Sequence, residues 1–210
     1  MRSYTLHLFF YLLIVAHSAM GQRKEFEGTI EFSTKEVAKD TLAGTGAYTS
    51  TFGTSYTTYL KKGSYKQVLE HGTLEWIMYD KYANRYCFKA HDRDTIYFLD
   101  CSKETGRSAI GRIDAQATIL GYKCRAIEMK DEEGTQTVFY SPKLRMSKKY
   151  FTRHKCMSFD LMSEYCNAPY LKIIAETGSS TIITEAKKVT RKKLDDNIFA
   201  LPDLPYKQLN

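Results

Sequence analysis

The sequence is poor in residues that interrupt strands. Its 210 residues include 4 prolines and a single tryptophan, Trp76, against 16 tyrosines and many threonines. Scarce proline leaves the backbone N–H groups free to build ladders, and Tyr and Thr favour half-buried strands. Catalytic signatures are missing as well. There is no G-x-S-x-G, H-E-x-x-H or phosphate-loop pattern. No Cys-x-x-Cys pair occurs, and beyond the first 21 residues the histidines are His71, His91 and His154, which argues against a zinc site. Internal repeats, low-complexity linkers and long amphipathic helices are absent. The best helical candidates, "KEVAKDTLAG" and "GRIDAQA", cover two or three turns each. The basic residues form no nucleic-acid motif, so nucleic acid is excluded as a partner.

One apolar run is present, at the start. Arg2 precedes "LHLFFYLLIVA", and "AMG" (Ala19 to Gly21) places small residues where a signal peptidase reads them. The run is shorter than the roughly 18 apolar residues a spanning helix needs. Residues 1–21 are therefore expected to be a cleaved signal peptide and 22–210 a single β-rich domain. Gln22, not Cys, stands directly after the cleavage point, which argues against a lipoprotein, and the polar "LPDLPYKQLN" carries no tail anchor. The expected location is the periplasm or the exterior, with no transmembrane segment after cleavage. The formal net charge of +7 includes Arg2, and a moderate basic excess favours anionic surfaces such as lipid head groups or polysaccharide.

Cys87, Cys101, Cys124, Cys156 and Cys166 all follow the leader. Five thiols in an oxidising compartment imply up to two disulfides. Cys156 with Cys166, flanking "MSFDLMSEY", is the preferred pair because it closes a short loop, while Cys101 with Cys124 stays open. Cys87 with Cys101 is disfavoured, since a hairpin turning at "HDRD" puts Cys87 opposite Phe98.

Period-2 patterning dominates the rest. "EFEGTIEFSTKE" alternates Phe26, Gly28, Ile30 and Phe32 against Glu and Thr, the mark of a half-buried strand. Short runs follow, "SYKQVLE", "TLEWIMYD", "RYCFKA" and "TIYFLD", parted by turn-like "HG", "KYAN" and "HDRD". This is an antiparallel meander. Two later hairpins turn at "DEEG" and "TGSS". Between Ser141 and Pro169 regularity breaks down, and the segment reads as a loop or lid with one short helical turn. "HDRD" and "DEEG" read as solvated turns rather than acid–base or cation sites. "KKYFTRHK" and "KKVTRKK" read as solvated faces.

The stretch "ILGYKCRAIEMKDEEGTQTVFYSP" resembles the central signature of the GLPGLI-type exported proteins of Bacteroidota and of related uncharacterised families. It matches at Ile119, Gly121, Tyr122, Lys123 and Cys124, then at Val138 to Pro142. "LDDNIFALPD" is similar to the family's closing element at Asp196, Phe199, Leu201 and Pro202, and "FEGTIEFS" fits its first strand. At the naming motif, near "NAPYLKII", Pro169 and Leu171 alone are comparable. The resemblance implies the curved antiparallel sheet, or half-open barrel, of the LolA/LolB periplasmic carriers. The residues themselves give the signature a structural meaning. Gly121 permits a bulge or close approach, Tyr122 offers an amphipathic ring, and Cys124 reads as half of a disulfide or as a small buried apolar group.

The resulting expectation is mainly β: a curved sheet or half-open β-barrel with few short helices. Its function is that of a non-enzymatic carrier with an apolar interior, for lipid or a lipidated partner. The alternative is an interaction module for an envelope protein or glycan. No cofactor and no metal are expected. Alternation selects Phe26, Ile30, Phe32, Trp76, Met78, Phe88, Phe98 and Phe139 as cavity residues.

Overall fold

The computed structural model describes residues 24–39 and 46–209; the expected leader lies outside them. The described chain builds one 12-stranded sheet in the order β12-β6-β5-β4-β3-β2-β1-β11-β10-β9-β8-β7. Its strands are β1 (Gly28–Ala38), β2 (Ser55–Lys61), β3 (Ser64–Glu70), β4 (Leu74–Asp80), β5 (Arg85–Ala90), β6 (Ile96–Asp100), β7 (Ala109–Ile119), β8 (Tyr122–Asp131), β9 (Gly134–Tyr140), β10 (Tyr170–Thr177), β11 (Ser180–Arg191) and β12 (Tyr206–Gln208). All pairs are antiparallel except β12 with β6. Helices are short: α1 (Ala47–Phe52), α2 (Phe159–Cys166) and single 3-10 turns at Pro142–Leu144, Lys148–Tyr150 and Asp196–Phe199.

Turn chemistry sets the meander. Leu120 and Gly121 both have positive φ, 50° and 76°, in a two-residue connection whose flanks Ile119 and Tyr122 pair directly. Such a primed turn matches strand twist, and glycine adopts it without steric penalty. Gly121 therefore closes a hairpin rather than making a bulge. The "DEEG" and "TGSS" hairpins form as their sequences imply, with Asp131 opposite Gly134. Cys87 stands opposite Phe98, the register read from "HDRD". "GRIDAQA", a helical candidate, lies within β7, where pairing with β8 satisfies its backbone.

The sheet is curved and open. Tyr56 on β2 and Tyr170 on β10 are three strand positions apart, about 14 Å in a flat sheet. Their hydroxyls nevertheless meet at 2.9 Å, and both rings flank Phe32, at 4.9 and 5.1 Å. The barrel-like expectation is corrected: β7 and β12 end the strand order without pairing to each other. Strand β12 has three exposed residues, too few groups to seam against the eleven of β7.

Residues 141–169 lie over one face of the sheet. Phe151 and Leu144 from this flap join Ile30, Phe32, Tyr56, Leu60, Tyr65, Ile77 and Tyr79 in the main core. Backbone bonds hold the flap at its edges, from Phe26 N–H to the Arg145 carbonyl at 2.7 Å and from Lys155 N–H to the Cys101 carbonyl at 2.8 Å. A second cluster unites Ile127, Met129, Val138 and Tyr140 with Cys166 and Ala168. A third lies where Phe199, Leu201 and Leu204 pack against Trp76, Met78, Cys87, Ile96 and Phe98.

The expected disulfides are corrected too. All five cysteines are buried free thiols. Cys156 belongs to the main core and Cys166 to the second cluster. Helix α2 starts beyond Cys156 and ends at Cys166, and its eight residues span about 12 Å, well beyond the Cα separation a disulfide bridges.

Candidate functional site

An apolar pocket opens between strands β1–β3 and the flap. Ile30, Phe32, Leu60 and Tyr65 form the sheet wall, with Met146, Phe159 and Met162 opposite. Its polar lining is Thr58, Gln67, Ser163 and the Tyr170 hydroxyl, and these are largely satisfied internally. Gln67 donates to Tyr170 at 3.0 Å, and Ser163 donates to the Asp160 carbonyl at 2.8 Å. The cavity measures about 40 Å³, room for a few waters, whereas pockets that enclose a ligand run to roughly 300–1,000 Å³.

Tyr65 links this pocket to a second constellation. Its hydroxyl meets His154 Nε2 at 2.9 Å, and the imidazole is sandwiched by Tyr79 and Phe159 at ring distances of 4.3 and 4.6 Å. His154 is fully buried, unlike the solvated turn its neighbours "TRHK" suggest. Burial lowers its pKa to about 4, so the ring is neutral. Cys101 and Cys156 lie beside it, and one ligand-type atom from each of the three residues falls within 4.8 Å of the others. The two sulfurs act on each other, which lowers the Cys156 thiol and, together with burial, pushes Cys101 up; the Cys101 Sγ reaches the Leu99 carbonyl at 3.9 Å. Burial instead pushes Cys87 and Cys166 up to about 12, leaving them inert.

Several local contacts position this constellation. Asn84 accepts from the Tyr79 hydroxyl at 2.8 Å and donates to the Arg153 carbonyl at 3.0 Å. Cys101 N–H bonds the Asn84 carbonyl at 3.0 Å, and Thr105 pairs with Cys156 in an isolated parallel bridge. Met157 and Ser158 then take positive φ, 52° and 55°, turning the chain into α2.

Of the eight residues chosen by alternation, Ile30 and Phe32 line the pocket. Phe26, Phe88 and Phe139 pack in or against the main core, and Trp76, Met78 and Phe98 lie in the third cluster. Gly121, Tyr122, Lys123 and Cys124 form the β7–β8 turn and the start of β8, with Ser141 bonded to the Lys123 carbonyl at 2.9 Å. The run "KKVTRKK" lies at the end of β11, where Lys188 pairs with Glu31 at 3.1 Å. Sequence reasoning missed Tyr65, Met146, Phe159, Met162 and the cysteine–histidine cluster. The one local signal for that cluster is the His-x-Cys spacing of His154 and Cys156.

No protein-family model matches the chain, and no curated protein matches it. Among solved structures, PNGF-II superposes in two crystal forms, P21 and C2, over 87% and 86% of this chain. The TM-scores are 0.53 and 0.52, at 14% and 15% identity. The chain spans 32% and 31% of that protein, and the likeness is one of fold. A LolA superfamily protein from Nitrosomonas europaea superposes over 84% of this chain and 91% of its own, at TM-score 0.41 and 10% identity. A likeness this loose carries no argument.

Proposed function

We propose that the chain is an exported, non-enzymatic binding protein whose flap-covered apolar pocket takes an acyl chain or similar apolar group. The observation that carries this reading is the make-up of the pocket wall. Sheet residues Ile30, Phe32 and Leu60 face Met146 and Met162, and methionine is the apolar side chain that reshapes most readily. The lining contains no carboxylate, histidine, lysine or cysteine, so it offers shape and apolar surface rather than acid–base chemistry. At about 40 Å³ the pocket is too small to enclose an acyl chain. Entry of a chain requires the methionines to swing outward and the cavity to grow toward the volume of an ordinary ligand site.

The test is native mass spectrometry of protein purified from its own envelope, followed by titration with a fluorescent fatty-acid analogue. A bound mass that extracts as lipid, or saturable uptake of the probe at one site, supports the reading. A bare polypeptide that takes up no probe overturns it. The small cavity favours one other reading, an interaction module. Its docking surface would be the unpaired edge of β7, eleven residues long, ready to accept a strand from a partner.

A further inference from the structure

We propose that Cys101, His154 and Cys156 form a zinc(II) site that clips the flap to the sheet. Two independent observations meet there. The first is the donor set: two thiols and an imidazole, all buried, with one ligand atom from each within 4.8 Å of the others. The second is an unmet demand. Among the described residues, the buried side-chain nitrogens and oxygens without a hydrogen-bond partner are His154 Nδ1 and Thr105 Oγ1. Buried polar atoms are rarely left unpaired, and both of these belong to the same small region. Thr105 is paired with Cys156 through the isolated bridge.

The imidazole is set up as a ligand. Its Nε2 is engaged by the Tyr65 hydroxyl at 2.9 Å. When Tyr65 accepts the Nε2 proton, the lone pair lies on Nδ1. A partner on the far ring nitrogen is the usual outer support of a metal-bound histidine. The three ligands do not depend on an ion for their placement. Cys101 is fixed by backbone bonds to Asn84 and Lys155, and His154 by its N–H to the Phe151 carbonyl at 2.9 Å.

Donor chemistry selects the ion. Thiolate and imidazole suit zinc or copper(I), and disfavour calcium, magnesium or manganese. Binding replaces the two thiol protons, which leave for solvent, by two Zn–S bonds and one Zn–N bond. Zinc(II) with two thiolates is neutral, whereas copper(I) would leave one negative charge in a dry interior, which is costly. Tetrahedral zinc needs its ligand atoms roughly 3.3–3.8 Å apart, a closing of the order of one ångström from the observed limit. Three protein ligands leave a fourth position, and Thr105 Oγ1 is suited to hold a water there. Cys101 follows β6 while His154 and Cys156 belong to the flap, so the ion would join elements otherwise held by hydrogen bonds and packing. This site stands apart from the pocket reading, since zinc binding and acyl uptake are separate measurements.

The experiment is a cobalt(II) titration of the full chain under reducing, anaerobic conditions. One equivalent should bring thiolate-to-cobalt charge transfer and the visible bands of tetrahedral cobalt, and zinc should bleach both. The paired variant Cys101→Ser with Cys156→Ser should lose the bands, while Cys87→Ser and Cys166→Ser should keep them. Reduced wild-type protein that develops no bands overturns the site without reliance on any variant. So do bands that survive in the paired variant, bands that zinc cannot displace, or exported protein in which alkylation and mass analysis find Cys101 bonded to Cys156.

Discussion

The two faces of Tyr65 separate two kinds of interior. Its ring is part of the wall of an apolar pocket, and its hydroxyl holds the imidazole of His154. Polar groups at the pocket bond to one another, as with Gln67, Tyr170 and Tyr56, so what remains is a matter of volume. On the His154 side the volume is filled by stacked rings, and what remains is an unpaired nitrogen and an unpaired hydroxyl. A small void is tolerated at modest cost. An orphaned buried polar atom costs about 1–3 kcal/mol. The comparison teaches that an apolar void and a pair of unmet polar groups lie on either side of the same tyrosine.

Phe151 is where both regions should fail together. It is fully buried and packs against Tyr65, Tyr79 and Phe159 at ring distances of 6.4, 6.1 and 5.1 Å. Phe151→Ala should cost about 3–5 kcal/mol by transfer and cavity terms, read as a lower urea midpoint. Both acyl uptake and cobalt binding should fall with it. If uptake survives intact, the pocket does not depend on the flap.

Tyr65→Phe separates the two regions. The ring stays in the pocket wall and the hydroxyl leaves His154 Nε2 without its partner, at a cost of about 1–2 kcal/mol. Cobalt affinity should drop at least tenfold, the usual consequence of losing a metal ligand's outer support. Acyl uptake should not change. A loss of both, at unchanged folding by circular dichroism, would show the two sites to be one.

The sequence makes the hairpins legible and the faces illegible, for a physical reason. "HDRD", "DEEG" and "TGSS" announce turns by local backbone preference, and Cys87 opposite Phe98 follows from the first of them. Strand β4 carries no such information. Trp76, Ile77, Met78 and Tyr79 are all buried, because the flap covers one face and the segment bearing Phe199, Leu201 and Leu204 covers the other. Alternation cannot choose a face when both are dry. Trp76 and Met78 therefore stand with the third cluster, and Ile77 and Tyr79 with the main core. The metal-type cluster escaped notice because Cys101 meets Cys156 through the folding of the flap, and no spacing in the chain encodes that meeting.

Met162→Trp tests the pocket alone. Met162 is half-buried on α2 and faces Ile30 and Phe32 across the cavity. An indole there should fill a space of about 40 Å³, with part of the ring escaping toward solvent. Stability should shift by less than about 1.5 kcal/mol in either direction, the range for adaptable apolar positions. Fatty-acid uptake should fall tenfold or more, with cobalt binding preserved. Undiminished uptake would place the apolar ligand elsewhere.

The smallest effect belongs to the flap's outer latch. Lys148 and Glu164 pair at 3.1 Å, with about half of each side chain exposed. An exposed ion pair of this kind contributes about 0–0.5 kcal/mol and weakens with salt. Lys148→Ala should therefore leave the urea midpoint almost unmoved and change neither uptake nor cobalt binding, because Phe151, Leu144 and the backbone bonds at Arg145 and Lys155 hold the flap. The sharper readout is the on-rate of the acyl probe. If the pocket opens by local movement of α2, freeing Glu164 on that helix should speed entry at low salt and make no difference at high salt. An on-rate indifferent to Lys148→Ala at both salt concentrations would mean that α2 stays in place and that Met146 and Met162 open the way by side-chain rotation alone.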